Sequence, residues 1–199
     1  ILEGFEGTPR IINGAFRLHV TPAGDFPSPL TLIPSYPDLP MEDVYPRVLR
    51  TDTREVYLRD LGAGRVAYVP WDITRTFWEV LSVDHGRLLR NLVAWTANEP
   101  PPVEVTGPGV LDVTSWRQRR SMTVHIVNLT NPMMMKGPLR ETFPVGPLKA
   151  VIRLPAGARA GRVQLLTAGT RPSVVRAGET LTVNVPSVEV HEVIAIDLA

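Results

Sequence analysis

Hydrophobic and polar positions alternate with a period of two along most of the second half of the chain. Short runs rich in branched residues are separated by turn sequences such as Gly107-Pro108-Gly109, a pattern typical of antiparallel strands. About eight strands in residues 100–199 predict an antiparallel β-sandwich. The predicted strands are 103–105, 110–113, 122–127, 148–154, 163–166, 173–176, 181–185 and 193–198; within 122–127, Met122, Val124 and Ile126 form one face and Thr123, His125 and Val127 the other.

The first half of the chain has a mixed α/β pattern. Residues 15–20 and 64–69 alternate as short strands, and a proline-punctuated stretch, 22–46, is predicted to be mostly loop. A helix is predicted after Asp84, capped by Ser82 or Asp84 and ended by Pro100. Its predicted buried stripe recurs at three-and-four spacing and consists of Leu88, Leu89, Leu92, Val93 and Thr96.

Three consecutive prolines at 100–102 cannot continue a helix, and we expect a domain boundary there. The predicted domains are residues 1–99, an α/β part, and residues 100–199, the β-sandwich. Two strands and one long helix are too few for a closed α/β domain. We therefore expect either that further strands precede residue 1 in a longer protein or that this half packs on a partner.

Composition excludes several classes of partner and cofactor. Lys and Arg number 21 against 20 Asp and Glu, without basic or acidic blocks, so neither nucleic acid nor membrane is an expected partner. The chain has no Cys, and its four histidines are scattered rather than placed at metal-ligand spacing. No phosphate-binding glycine loop or nucleophile elbow occurs, and we expect no metal and no cofactor. The absence of Cys leaves the redox compartment undetermined, and the cytoplasm is the location we favour.

The richest chemical constellation is the segment 69–79, which joins the strand 64–69 to the helix and is interpreted as a loop at the carboxyl edge of an α/β layer. In one interpretation, its aromatic rings stack on a sugar while its charged groups hydrogen-bond to it. In the other, the aromatics fill an interface between domains, and Arg75 pairs with Asp72 or Glu79. The candidate ligand-binding residues are Trp71, Asp72, Arg75, Trp78 and Glu79.

Glycoside hydrolysis needs two carboxyl groups held at a defined separation. Asp72 and Glu79 are the acidic pair in an aromatic setting, but nothing in the sequence sets their distance. Independent catalysis by this chain is therefore not expected, and no residue is assigned a catalytic role.

Residues 64–72 and 84–91, with Trp95, resemble the last strand and helix of the β-galactosidase trimerisation domain, a glutamine-amidotransferase-like, flavodoxin-like module of bacterial multidomain glycoside hydrolases. Residues 124–138 and 189–193 are similar to the small C-terminal β-domain of the same proteins, some of them α-L-fucosidase-like or β-galactosidase-like. The resemblance implies a partial flavodoxin-like module followed by a β-sandwich. It also implies homo-oligomers and an upstream TIM-barrel domain that carries the catalytic residues.

Met133, Met134 and Met135 lie between two prolines directly after a predicted strand. Methionine is flexible and polarisable and fills irregular surfaces well, so the triplet is interpreted as a contact with another domain or subunit. The preferred hypothesis is a non-catalytic C-terminal region of a glycoside hydrolase in carbohydrate metabolism, serving oligomerisation and domain packing. The alternative is a carbohydrate-binding module, with a carbohydrate as its partner.

Overall fold

The computed structural model describes residues 1–35, 45, 47–131 and 140–199. The chain forms two compact units, unit 1 from Ile1 to Pro100 and unit 2 from Pro101 to Ala199. Neither helix among the described residues is long and apolar enough to span a membrane.

The described part of unit 1 contains one antiparallel hairpin and two helices. The hairpin joins β1 and β2 through a two-residue turn at 62–63, where Gly62 has the positive φ (59°) that glycine adopts without strain. Because its two strands are antiparallel, the described part of unit 1 has no parallel sheet, and a flavodoxin-like module is not shown. The elements are β1 (Tyr57–Leu61), β2 (Gly64–Tyr68), α1 (Ile73–Val80) and α2 (Val83–Ala97).

The start of unit 1 differs from the predicted strand at 15–20. Within this stretch, only Arg17 forms a β-bridge, and its partner is Trp71. The side chains that face inward and outward are the reverse of those that an apolar core would require. Phe16 and Leu18 are exposed, whereas Arg17 points inward. Arg17 faces inward because it has a buried charged partner, which is described below.

Helix α1 replaces the loop predicted for residues 69–79. Ile73 and Thr76 are buried on one side of it, at helical spacing. The segment is rich in threonine and aromatic residues, which have low helix propensity, so its sequence is a weak helix signal. Packing stabilises it: a Cβ at Gly86 of α2 would lie 3.0 Å from the Phe77 ring, so the missing side chain lets α1 approach α2 closely.

Helix α2 confirms the predicted helix but presents a different stripe to the core. Its buried residues are His85, Leu88, Asn91 and Leu92, while the expected Val93 and Thr96 are exposed. The two polar members of the stripe bind main-chain carbonyls of the N-terminal segment. His85 Nε2 donates to the Ile12 carbonyl at 2.8 Å, and Asn91 Nδ2 donates to the carbonyls of Ile1 and Glu3 at 2.9 and 2.8 Å.

Unit 2 is an antiparallel β-sandwich, and each of its eight predicted strands is present. One sheet has the order β4-β5-β10-β7 and the other the order β3-β6-β9-β8. The predicted inner face of β5 is confirmed, because Met122, Val124 and Ile126 are at most 5% exposed. The strands are β3 (Val103–Thr106), β4 (Leu111–Arg117), β5 (Ser121–Asn128), β6 (Leu148–Arg153), β7 (Ala160–Leu165), β8 (Val174–Ala177), β9 (Thr180–Val185) and β10 (His191–Leu198).

A buried asparagine at the end of β5 joins three parts of unit 2. The Asn128 side-chain nitrogen donates to the carbonyls of Phe143 and Glu189, both at 2.9 Å, and its oxygen accepts from the Thr130 N–H at 3.0 Å. Asn131 repeats the arrangement, donating to Glu189 and accepting from the Phe143 N–H. The chain on both sides of residues 132–139 is thus attached to the start of β10.

Replacing Asn128 by alanine is expected to destabilise unit 2 by about 3 kcal/mol, because several buried main-chain groups lose their partner at once. Urea denaturation followed by circular dichroism measures the change. The matched control is Asn184→Ala, since Asn184 is exposed and its side-chain nitrogen bonds only the Ser173 hydroxyl; we expect a change below about 0.5 kcal/mol. Equal effects of the two variants would contradict the anchoring role.

Candidate functional site

Trp71 lies between β2 and α1, with its ring in the core of unit 1. It is 7% exposed, and its indole Nε1 donates to the main-chain carbonyl of Glu55 at 3.1 Å. The His85 ring stands edge-on to it, with 6.0 Å between ring centroids. Trp71 therefore contributes burial and one internal hydrogen bond, and most of its ring surface is covered by protein.

A buried ion pair that the sequence analysis did not single out lies beside Trp71. Arg17 Nε is 2.5 Å from Glu55 Oε1, and the two side chains are 15% and 6% exposed. The second carboxylate oxygen, Oε2, is buried and accepts no hydrogen bond from any described residue. The sequence feature that could have indicated this pair is the position of Arg17 between two apolar residues, which we interpreted as ordinary strand alternation.

Asp72 occupies the N-cap position of α1, but its side chain does not cap the helix. Oδ1 instead accepts from the Phe16 N–H at 3.1 Å, which attaches the N-terminal segment to the start of α1. A Cβ at Gly14 would lie 1.8 Å from this oxygen, so glycine is required for the close approach. The negative charge also lies favourably at the helix N-terminus.

Arg75 pairs with Glu79, one of the two partners considered from the sequence. Their side chains lie one helical turn apart, with 2.8 Å between Nε and Oε1, and both are about half exposed. The hydrogen bond that Arg75 donates to the Glu79 carboxylate raises the pKa of Arg75 above its usual value. The guanidinium also lies 5.0 Å from the centre of the Phe16 ring. An exposed pair of this kind contributes little to stability.

Trp78 lies on the exposed side of α1 and belongs to an apolar patch at the turn between the two helices. We call Trp78, Val80, Leu81 and Val83 the apolar corner; their side chains are 62%, 54%, 61% and 72% exposed. Leu81 ends α1 in the left-handed conformation, with φ 53° and ψ 32°, which is unfavourable for a residue other than glycine or asparagine.

The five candidate residues thus differ in their exposure to solvent. Trp71 is packed inside unit 1, whereas Arg75, Trp78 and Glu79 are exposed along α1, and Asp72 is partly buried at its start. Met133, Met134 and Met135 lie outside the described residues. No group of three or more His, Asp or Glu side chains with metal-binding geometry is found in the described part of the chain.

The outer side of the hairpin carries an open aromatic groove of about 280 Å³ that the sequence analysis did not predict. Tyr57 and Tyr68 face each other across β1 and β2 with ring centroids 6.2 Å apart. Phe26 forms the neighbouring wall, and the Arg59 guanidinium lies 5.8 Å from the centre of its ring. Aromatic faces, two hydroxyls and a cation thus occur together at this surface.

No protein-family model matches the chain, and no curated protein matches it in sequence. A solved structure does share its fold. Alpha-L-fucosidase isoenzyme 2 from Paenibacillus thiaminolyticus superposes on 74% of this chain with a TM-score of 0.59 and 16% sequence identity. The chain spans 22% of the length of that enzyme. At this identity the likeness establishes a common fold over three quarters of the chain.

Proposed function

We propose that this chain is the non-catalytic C-terminal region of a glycoside hydrolase acting in carbohydrate metabolism, and that it serves oligomerisation and domain packing. The observation that carries the proposal is the fold shared with a region of a much longer enzyme called an alpha-L-fucosidase. On this proposal, unit 1 is part of a flavodoxin-like, amidotransferase-like module, and an upstream TIM barrel is its partner in the same protein. The resemblance of residues 64–72 and 84–91 to a trimerisation domain supports this assignment.

The apolar corner supports the assembly role. Four large apolar side chains are exposed within six residues, and clustered apolar exposure of this kind marks contact surfaces. Trp78 is one of the four, and tryptophan is enriched among the residues that contribute most to binding at interfaces. The acidic pair considered for catalysis has other contacts, since Asp72 binds the Phe16 N–H and Glu79 binds Arg75.

The assembly role predicts that Trp78→Glu weakens self-association by about 2 kcal/mol or more, because a charge replaces a large exposed apolar side chain. Size-exclusion chromatography with light scattering measures this on the full-length protein, alongside a version lacking these 199 residues. The matched control is Trp116→Glu, at a tryptophan of similar exposure (65%) on β4 of unit 2. An unchanged oligomeric state after deletion of the region refutes the role.

Leu81 allows stability and assembly to be separated. Leu81→Gly removes the left-handed strain and is expected to stabilise unit 1 by about 1 kcal/mol. The same change removes an exposed apolar side chain from the corner and is expected to weaken association. The free energy of unfolding, measured by denaturation, should therefore increase, whereas self-association, measured by light scattering, should weaken. If association is unchanged or strengthened while folding is stabilised, Leu81 is not part of the contact.

The alternative, a carbohydrate-binding module, is favoured by the aromatic groove at Tyr57, Tyr68 and Phe26, because protein sites for sugars combine ring faces with hydroxyl and charged groups. It predicts binding of a glycan from an oligosaccharide panel in calorimetry, with affinity reduced about tenfold or more by Tyr68→Ala. The control is Tyr45→Ala, at an exposed tyrosine that does not line the groove. No heat of binding with any member of the panel removes the alternative.

A further inference from the structure

Two histidines meet on the outer face of one sheet of unit 2. His125 of β5 and His191 of β10 lie 66 positions apart in the sequence, and the antiparallel pairing of the two strands makes them diagonal neighbours. His125 Nδ1 and His191 Nε2 are 3.2 Å apart. The rings are nearly parallel, with 5.3 Å between their centroids and an interplanar angle of 15°. Both side chains are partly exposed, so the pair lies at the surface of the sheet.

The two nitrogens face each other at the separation that one metal ion requires. Imidazole nitrogens bind zinc at about 2.0–2.1 Å, so two of them at a tetrahedral angle lie about 3.3–3.4 Å apart. The observed separation differs from this by no more than about 0.2 Å. In the hydrogen-bonded pair, one nitrogen donates its proton to the lone pair of the other. A metal ion can replace that proton when each ring carries its remaining proton on the other nitrogen, Nε2 of His125 and Nδ1 of His191.

The neighbouring strand residues are compatible with a bound cation. Thr114 of β4 and Val193 of β10 lie directly opposite His125 on its two sides. Asp112, which is exposed, is a diagonal neighbour of His125 on the same face. The other charged strand residues of this face, Arg162 and Asp197, pair with each other. A negative charge therefore lies beside the histidines and favours a cation there.

The donor atoms select the class of metal. Imidazole nitrogen suits zinc, copper and nickel, whereas magnesium and calcium prefer oxygen ligands. Structural zinc sites use four protein ligands, and the residues that the structure describes contain no group of three or more His, Asp or Glu suited to a metal. Two protein ligands therefore form an open site, from which the ion can exchange.

We propose that His125 and His191 form a two-histidine site for a divalent transition metal ion of the zinc, nickel and copper class. The ion links β5 to β10, and water completes its coordination. The sequence analysis expected no metal because the histidines are scattered along the chain; the pairing of β5 with β10 brings these two together. The site lies within unit 2, and the proposal does not depend on the chain being part of a glycoside hydrolase.

Nuclear magnetic resonance of the ¹⁵N-labelled chain tests the proposal with Zn²⁺ as the probe, and it needs no variant. The imidazole nitrogen signals of His125 and His191 are expected to shift together and in a saturable way. Those of His19 and His85 are expected to stay in place, because His19 is an isolated exposed histidine and His85 is buried. Mg²⁺ at the same concentrations is expected to shift neither member of the pair. No saturable shift with Zn²⁺, a shift of only one of the two rings, or an equal response to Mg²⁺ would each overturn the proposal.

Calorimetry on single variants tests whether both rings bind the same ion. His125→Asn and His191→Asn are each expected to weaken Zn²⁺ binding at least about tenfold, because each change removes one of the two protein ligands. The matched control is His19→Asn, which is expected to leave the affinity unchanged, and main-chain amide spectra verify that each variant is folded. Unchanged affinity in either variant of the pair, or an equal loss in His19→Asn, contradicts the site.

Discussion

The structure of unit 1 depends on buried side chains that satisfy main-chain groups of segments without regular secondary structure. Its first 20 residues contain no strand or helix, so the main-chain carbonyls there that are withdrawn from water need donors from elsewhere. His85 and Asn91 of α2 supply them to Ile12, Ile1 and Glu3, and Trp71 supplies one to Glu55. Burial of the Arg17–Glu55 pair adds a cross-link between two such segments. Because a partly satisfied buried pair is costly, this arrangement is specific but contributes less stability than an apolar core of equal size.

The contrast between the two units explains how much of the secondary structure could be predicted from the sequence. In unit 2, the alternation and the turn residues agree with the structure over the described residues, and the eight strands found there were all predicted. In unit 1, the same logic wrongly predicted a strand at residues 15–20, where Arg17 rather than Phe16 points inward. It also predicted the wrong buried stripe for α2, because His85 and Asn91 are buried. Polar residues that bind main chain at long sequence separation have no periodic signature. The helix α1 was missed for a related reason: contact with Gly86, rather than intrinsic propensity, stabilises it.

The ligand-binding role of the segment 69–79 stays a prediction, whereas part of its local structure was predicted. The segment 69–79 does contain the ion pair Arg75–Glu79, one of the pairs considered, and an exposed tryptophan. One of the two interpretations buries the aromatics at an interface between domains. Trp71 is buried inside unit 1, against Glu55 and His85, which lie 16 and 14 positions away in the sequence, and no local pattern predicts these two contacts. The aromatic groove was missed since Tyr57, Tyr68 and Phe26 come from two strands and a loop whose pairing the sequence does not specify.

The end of α1 presents a conflict between folding and surface chemistry. A glycine at position 81 would relieve the left-handed strain and remove apolar surface, so leucine is unfavourable on both counts for unit 1 alone. Asn98 ends α2 in the same conformation at lower cost, because asparagine tolerates it, and so the chain has a residue suited to this geometry at its other helix end. Local strain of this kind persists where surrounding contacts compensate for it. Trp78, Val80 and Val83 are exposed within three positions of Leu81 in the sequence. On the proposed assembly role, a partner that covers Leu81 would provide that compensation.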